Sequence, residues 1–136
     1  MEARLEVGTI CVKPGKLTCE VTISPVHDAY SSPAIAQALV QARPKLLQHT
    51  CKNKKGNSFA AVIEHTSLAH VFEHVAIDYQ VEYAPENSVF QFVGTTEWAD
   101  KSAGRSLVTL NFEDDLQALR ALKSAQALLN SILAKL

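Results

Sequence analysis

The sequence is short of cysteine, of net charge and of long apolar runs, and each shortage excludes a class of protein. Cys11, Cys19 and Cys51 are odd in number and show no Cys-x-x-Cys spacing. They predict reduced thiols in a cytoplasmic protein, not a disulfide framework or a sulfur zinc site. A formal net charge of −1 gives no attraction to nucleic acid or to an anionic membrane. No apolar run approaches the ~20 residues that span a bilayer, and the first residues lack the pattern of a signal peptide.

What the sequence does contain is the hydrophobic content of a globular domain. Its 136 residues, 47% of them hydrophobic, show no linker-like change in composition and predict one domain over 1–136. Alternating apolar residues predict strands over 4–13 and 16–24. The Pro14-Gly15 turn between them indicates an antiparallel hairpin.

The rest of the chain is predicted to contain helices on either side of a second pair of strands. Ser32 before Pro33 predicts the start of a helix over 33–43, which Pro44 interrupts. The further predicted elements are a short helix over 44–50, an exposed basic loop over 51–58, a central helix over 64–80, strands over 88–93 and 105–112, and a last helix over 114–135. The order β-β-α-α-α-β-β-α, with helices packed on an antiparallel sheet of about four strands, indicates an α+β fold.

Two details of the C-terminal half bear on the site and on the core. A long polar loop that contains Trp98 is predicted between the last two strands, and such loops often border a site. The last helix is predicted to bury Leu116, Leu119, Leu122, Ala125, Leu129 and Leu133.

The stretch from Glu64 to Gln80 holds three of the five histidines and organises the prediction. Thr66 is its expected N-cap, because a hydroxyl there can accept from the free amides of the first turn. Apolar residues recur at helical spacing and predict a buried stripe of Leu68, Val71, Phe72 and Val75.

A neighbouring face of this helix carries the residues that suggest chemistry. His70, His74 and Asp78 stand four residues apart, so their side chains stack along the axis. The two histidines and Glu73 form His70-x-x-Glu73-His74, the inverted zinc-peptidase pattern. Two imidazoles at this spacing can bind one Zn²⁺ at about 2.0–2.1 Å each. Glu73 can then take a proton from a metal-bound water, and Asp78 can orient an imidazole as a partner outside the ligand set.

The spacing leaves alternatives open. A hydrogen-bonded pair of core histidines explains it as well as a metal site does. Manganese, iron or nickel can occupy a site of this kind in place of zinc.

Two segments of the chain resemble the N-terminal domain of cyanophycin synthetase. Pro44-Lys-Leu-Leu-Gln-His49-Thr-Cys51 is similar to its Pro-x-Leu-x-x-His-x-Cys segment. Glu64-x-Thr66 followed by His70-Val-Phe-Glu73-His74-Val75-Ala76-x-Asp78-x-Gln80 is similar to its Glu-Gly-Thr…Gly-His-x-x-Glu-His-Val-Ala-Leu-Glu-Leu-Gln stretch. The last strand and helix also fall where that domain has them, so the resemblance covers nearly the whole chain.

The resemblance implies a function that the spacing alone does not. In that family the domain precedes an ATP-grasp domain and a Mur-ligase-like domain, which together build a polymer of aspartate and arginine. Neither is expected in this sequence. In some members the N-terminal domain is a zinc-dependent hydrolase that cuts the polymer into primers. By this likeness His70 and His74 would hold zinc and Glu73 would be the general base. A carboxylate from the start of the last helix, Asp115 or alternatively Asp114, would complete the site.

A weaker, local likeness connects the motif to other enzymes. Pitrilysin-type zinc peptidases and S-ribosylhomocysteine lyases also carry His-x-x-Glu-His on a helix packed on a sheet. The lyases take a downstream cysteine as third ligand, and no cysteine follows Cys51, which argues against a lyase.

Two functions therefore remain. The first is a zinc-dependent hydrolase of amide bonds in a peptide-like polymer such as cyanophycin. The second is a non-catalytic module that keeps the fold and binds a partner or the polymer. Missing arginines favour the second, since the family's Gly-Gly-Phe-Leu-x-Arg segment is Gly56-Asn-Ser-Phe-Ala-Ala61 here, and its Gly-Arg-Thr-Arg stretch has no counterpart near 93–98. Open sheet edges allow a homodimer. For His49, Glu64 and His65 a structural role is favoured over a catalytic one.

Overall fold

The computed structural model describes residues 3–136. Its strands are β1 (Arg4–Lys13), β2 (Lys16–Ser24), β3 (Thr50–Asn53), β4 (Gly56–Ser58), β5 (Gly94–Asp100) and β6 (Arg105–Asn111). Its α-helices are α1 (Pro33–Ala42), α2 (Leu68–Tyr83) and α3 (Asp115–Ala134). Helices on an antiparallel sheet confirm the predicted α+β fold. None of the helices in this part of the chain is long and apolar enough to cross a membrane.

Four strands form the main sheet, in the order β1-β2-β6-β5, and every neighbouring pair is antiparallel. The predicted β1–β2 hairpin is confirmed, and its turn uses Gly15 at a φ of 78°, where a side chain would be strained. On β2, the alternating residues Leu17, Cys19, Val21 and Ile23 are buried. One face of the sheet is therefore the face that the helices cover.

Helices α2 and α3 pack side by side on that face, α3 over β1 and α2 over β5 and β6. The predicted stripe of α2 is confirmed, since Leu68, Val71, Phe72 and Val75 are all fully buried. Two polar residues of α3 also bond to the outer edge of β1 near its start. Asn130 accepts from Leu5 N–H at 2.8 Å, and Gln126 accepts from Val7 N–H at 2.9 Å.

Residues 44–58 are more structured than the sequence predicted. The second helix is a short 3-10 helix over Pro44–Gln48. The expected loop over 51–58 is instead the β3–β4 hairpin, in which Asn53 Nδ2 donates to the carbonyls of Cys51 and Ser58. The run of lysines hid this pairing because both strands are largely exposed and lack an apolar face.

The edge strand of the main sheet was misplaced by the prediction. Residues 88–93 are not a strand, and Val89 is 94% exposed. The strand is β5, and Trp98 lies in it rather than in a loop. Partly buried and exposed residues alternate along β5 because only one of its faces meets the core. Its threonines and acidic residues make the segment polar, which resembles a loop.

In α3 the predicted burial of Leu116 is wrong, because this residue is 72% exposed. The buried stripe is set by residues such as Ala118, Leu122 and Leu129. Leu116 lies about 200° around the helix from Ala118, at about 100° per residue, and so faces solvent.

The two ends of α3 provide a test of this packing. Leu129→Ala should lower the free energy of unfolding by about 2–5 kcal/mol, because it leaves a cavity at a fully buried position. Leu116→Ala removes the same atoms from an exposed position and should change stability by less than about 0.5 kcal/mol. Urea denaturation of both variants measures the difference, and equal losses would contradict the described orientation of α3.

Candidate metal centre

The first turn of α2 is fixed by the residues that precede it. Ser67, not the predicted Thr66, is the N-cap, and its Oγ accepts from His70 N–H at 3.1 Å. The backbone of Thr66 is bound to Ser31, whose N–H donates to the Thr66 carbonyl and whose Oγ accepts from Thr66 N–H. The N-cap is thus displaced by one residue, and the Thr66 hydroxyl is left to contact the His70 ring.

Three side chains with metal-ligating atoms meet beside this turn. Ligand atoms of Cys51, His70 and His74 all lie within 4.8 Å of one another. The Cys51 Sγ is 3.4 Å from His70 Nε2. Strand β3 brings the cysteine to the helix, which supplies the two histidines one turn apart. Cys51 and His70 are half-buried, and His74 is buried.

A chain of polar contacts orients His74 from behind. His74 Nδ1 is 3.0 Å from His49 Nδ1, and His49 Nε2 is 3.4 Å from Asp78 Oδ1. Arg43 Nε donates to Asp78 Oδ2 at 2.6 Å. With the carboxylate accepting from His49 Nε2–H, His49 Nδ1 accepts from His74 Nδ1–H. His74 then presents a free Nε2 lone pair.

His70 is oriented in the same sense by a simpler contact. Its Nδ1 is 2.9 Å from Thr66 Oγ1. When Nδ1–H donates to this hydroxyl, the Nε2 lone pair points toward Cys51. Fixing a ligating imidazole through its other ring nitrogen is the usual arrangement around protein-bound metals.

Both imidazoles are held in the neutral form that binds metals. Burial, reinforced by the nearby His70 and His49, lowers the pKa of His74 to about 3. Burial also lowers the pKa of His70. At neutral pH neither ring has to lose a proton before it can ligate.

Glu73 lies beside the cluster and is only 4% exposed. Its Oε1 accepts from Thr96 Oγ1 at 2.7 Å, and its Oε2 is 3.7 Å from His74 Nε2. Burial raises the pKa of Glu73, partly opposed by the Thr96 hydrogen bond and by His49. A Cβ at Gly94 would come within 3.0 Å of Glu73 Cγ and 2.7 Å of Leu110 Cδ2, so glycine permits this close approach of β5 to α2.

The cluster and Glu73 open into a cleft of about 1390 Å³. Its walls are the β3–β4 hairpin on one side and β5 on the other, with one face of α2 between them. Trp98 lines one end of the cleft near Tyr30, whose ring stacks on His65 with ring centroids 5.2 Å apart.

The predicted carboxylate ligands are not brought to this cluster. Asp114 is the N-cap of α3 and accepts from the N–H groups of Leu116 and Gln117, and the adjacent Asp115 is exposed. The preceding strand β6 ends beside Gln80, whose Nε2 donates to the Asn111 carbonyl at 3.1 Å. Ten residues of helix separate Gln80 from His70, or about 15 Å. Asp114 and Asp115 come directly after β6 and therefore start near the C-terminal end of α2, whereas His70 lies near its N-terminal end.

The other residues singled out from the sequence divide between the cluster and the surface. Asp78 orients His49, which in turn contacts His74, so it acts one step further from the cluster than predicted. His49, left open by the sequence, belongs to this chain of contacts. Glu64 and His65 are exposed, and His65 lines the cleft.

Sequence reasoning missed Cys51 and Thr96. Cys51 was interpreted only as a reduced thiol, although His49-x-Cys51 lies in one of the two segments that carry the family resemblance. The sequence analysis considered a cysteine ligand only downstream of the helix, whereas Cys51 lies upstream and is brought to the helix by β3. No signal in the sequence linked Thr96 to Glu73, since their contact joins two elements that are distant in the chain.

The fold and the cluster define the chain as a small α+β domain with a Cys-His-His group on its central helix. Comparison with protein families matches residues 18–134 to the cyanophycin synthase-like N-terminal domain. The chain belongs to this family, as the sequence motifs predicted. No curated protein and no solved structure gives a significant match.

The chain of contacts behind His74 predicts a strong effect at Arg43. Arg43→Met leaves the buried Asp78 carboxylate without its cation and should lower the free energy of unfolding at pH 7 by about 3–5 kcal/mol. Hydrogen bonds from His49 and Arg43 outweigh burial and hold the pKa of Asp78 below its usual range in the wild type. In the variant burial is no longer offset by Arg43, so the pKa of this carboxyl rises, the carboxyl protonates at a higher pH than in the wild type, and the stability gap should narrow as the pH is lowered.

Arg120→Met is the matched control for this variant. Arg43 stacks on Tyr79 at 4.0 Å and Arg120 on Tyr83 at 3.8 Å, but Arg43 alone of the two contacts Asp78. Arg120→Met should cost less than about 1 kcal/mol, with no narrowing at low pH. A similar cost for both variants in urea denaturation would contradict a role for the Arg43–Asp78 pair.

Proposed function

We propose that this protein is a zinc-dependent hydrolase of amide bonds in a peptide-like polymer, with Cys51, His70 and His74 as the metal ligands. The observation that carries the proposal is the approach of three soft or borderline ligand atoms to within 4.8 Å, next to a buried carboxylate and an open cleft. Asp115, expected from the family resemblance, is replaced in this proposal by Cys51.

The donor set suits zinc. Sulfur and imidazole nitrogen are its preferred ligands, at about 2.3 Å and 2.0–2.1 Å. In a tetrahedral arrangement these lengths put a sulfur and a nitrogen ligand about 3.5 Å apart, and Cys51 Sγ is 3.4 Å from His70 Nε2. Three protein ligands leave a fourth position, as in catalytic zinc sites. Zinc bound there would supply a Lewis acid that lowers the pKa of water and polarises an amide carbonyl.

Glu73 is proposed as the general base and then the general acid. Its Oε2 would accept a proton from the attacking water and return it to the nitrogen of the leaving amine. Thr96 fixes the carboxylate through Oε1, so Oε2 is the oxygen left for this transfer. Burial raises the pKa of Glu73 toward neutral pH. A group whose pKa lies nearer the working pH is effective both as a base and as an acid.

The substrate class follows from the family and from the size of the cleft. A polymer of aspartate and arginine is the candidate that the family name supports. The cleft exceeds the roughly 300–1,000 Å³ of most small-molecule sites and has room for several residues of a polymer.

Metal content tests the ligand set. Wild-type protein purified without added metal or chelator should contain about one zinc per chain, and Cys51→Ser and His74→Ala should lose most of it. Cys11→Ser changes an exposed cysteine and should retain it, as should Asp115→Asn. Atomic emission spectrometry gives the zinc content. A wild type that takes up no zinc at micromolar concentration would contradict the proposal. Loss of zinc in Asp115→Asn would instead support Asp115 as a metal ligand.

The general base is tested separately from the metal. Glu73→Gln preserves the volume of the side chain and an acceptor for Thr96, so it should keep its zinc. Hydrolysis of an aspartate–arginine polymer, followed as new amino groups, should fall by at least about 10²-fold. Glu6→Gln, at an exposed position on β1 at the opposite edge of the sheet, is the control and should remain active.

The same pair of variants decides between the two functions. If the wild type binds zinc and polymer but Glu73→Gln and wild type are equally inactive, the protein is a binding module with a structural metal. The hydrolase proposal would then be wrong.

A further inference from the structure

We infer that the outer edge of β5 binds the substrate as an added β-strand, so that an extended polypeptide lies along β5 with its backbone next to Glu73. This inference deepens the proposed function by naming how the polymer is held. It depends on the geometry of the β5 edge and on the charge of the opposite wall.

The hydrogen-bond pattern of the sheet identifies which backbone groups of β5 face outward. Asn111 N–H donates to the Val93 carbonyl at 3.2 Å, so these residues form a bonded pair. Bonded and non-bonded pairs alternate along an antiparallel ladder. Thr95 and Glu97 therefore bond to β6, and the N–H and C=O groups of Gly94, Thr96 and Trp98 point away from the sheet.

These outward groups have no partner strand within residues 3–136. β5 is the last strand of the sheet, and the backbone hydrogen bonds of this part of the chain include none to the outer groups of Gly94, Thr96 or Trp98. At the opposite edge of the sheet, Asn130 and Gln126 of α3 accept from the amides of Leu5 and Val7 near the start of β1. An uncovered edge is a template for another strand.

The cleft runs along this edge. Five consecutive residues of β5, from Gly94 to Trp98, line it. Successive side chains of a strand point to opposite faces, so an unbroken run of lining residues means that the cleft meets the edge of the strand as well as one face. The side chain of the central residue, Thr96, bonds to Glu73. A strand paired at Thr96 would therefore pass the proposed base.

The charged residues on the two walls of the cleft indicate which side chains the bound polypeptide carries. Lys52 and Lys54 of the β3–β4 hairpin line the other wall and are exposed. Glu97 is the exposed carboxylate that lines the β5 wall. We therefore expect an extended polypeptide with acidic side chains directed toward the hairpin.

Hydrogen exchange of the wild-type protein without zinc tests strand addition. The probe is a dodecapeptide of alternating aspartate and threonine. At saturation, exchange of the amides of Gly94, Thr96 and Trp98 should slow at least about tenfold, while the Thr95 and Glu97 amides, already bonded to β6, should be unchanged. The same peptide with asparagine in place of aspartate should bind less tightly.

Two variants at one position isolate the backbone donor. Trp98→Ala and Trp98→Pro both remove the indole, but only Trp98→Pro removes the outward N–H, and proline is tolerated on an edge strand when its nitrogen faces outward. Peptide binding should be about three- to tenfold weaker for Trp98→Pro than for Trp98→Ala. Circular dichroism checks that both variants are folded, and protection of Gly94 and Thr96 in the wild type tests the same idea without a mutation.

Failure of this inference is distinct from failure of the hydrolase proposal. No binding at millimolar peptide, or binding without protection of the three outward amides, would overturn strand addition. Equal affinity for the aspartate and asparagine peptides would overturn the acidic preference. None of these measurements needs zinc or hydrolysis. Their results therefore do not depend on whether the protein binds zinc or on the effect of Glu73→Gln.

Discussion

The structure depends on the polar face that α2 carries into the core. A buried carboxylate or imidazole is costly unless it is paired, and here each group has a partner: Asp78 binds Arg43 and His49, His49 binds His74, and Glu73 binds Thr96. Arg43 and His49 flank the 3-10 helix that precedes β3, and Thr96 comes from β5. They hold α2 in one position and at the same time fix the rings that face the cleft.

The same contacts explain why a domain of this size can present a preorganised site. The histidines need no large motion to approach Cys51, because the N-cap at Ser67 and the β3–β4 hairpin already place them within reach. Glycine at position 94 lets β5 approach Glu73 closely. The cleft therefore has a floor formed by α2, one wall that carries the exposed Lys52 and Lys54, and another wall formed by β5.

Much of the architecture could be predicted from local patterns. The β1–β2 hairpin followed from alternation and a Pro-Gly turn, α1 from Ser32 before Pro33, and the buried stripe of α2 from apolar residues at helical spacing. Prediction failed where burial did not follow local hydrophobicity. β5 is polar because it is an edge strand. Residues 88–93 are largely apolar yet form no strand, and Leu116 lies outside the buried stripe of α3.

For the candidate site, the sequence by itself determined the pair His70 and His74 and the adjacent Glu73, because residues three and four apart on a helix must lie together. It also determined the family, through motifs that cover two short segments. Only the tertiary structure decided which distant side chains join them. Cys51 and His49 arrive from the segment before α2 and Thr96 from β5, while Asp115 begins a helix at the far end of α2. Spacing along the chain determines neighbours within one helix, but contacts between elements depend on how the sheet and helices pack.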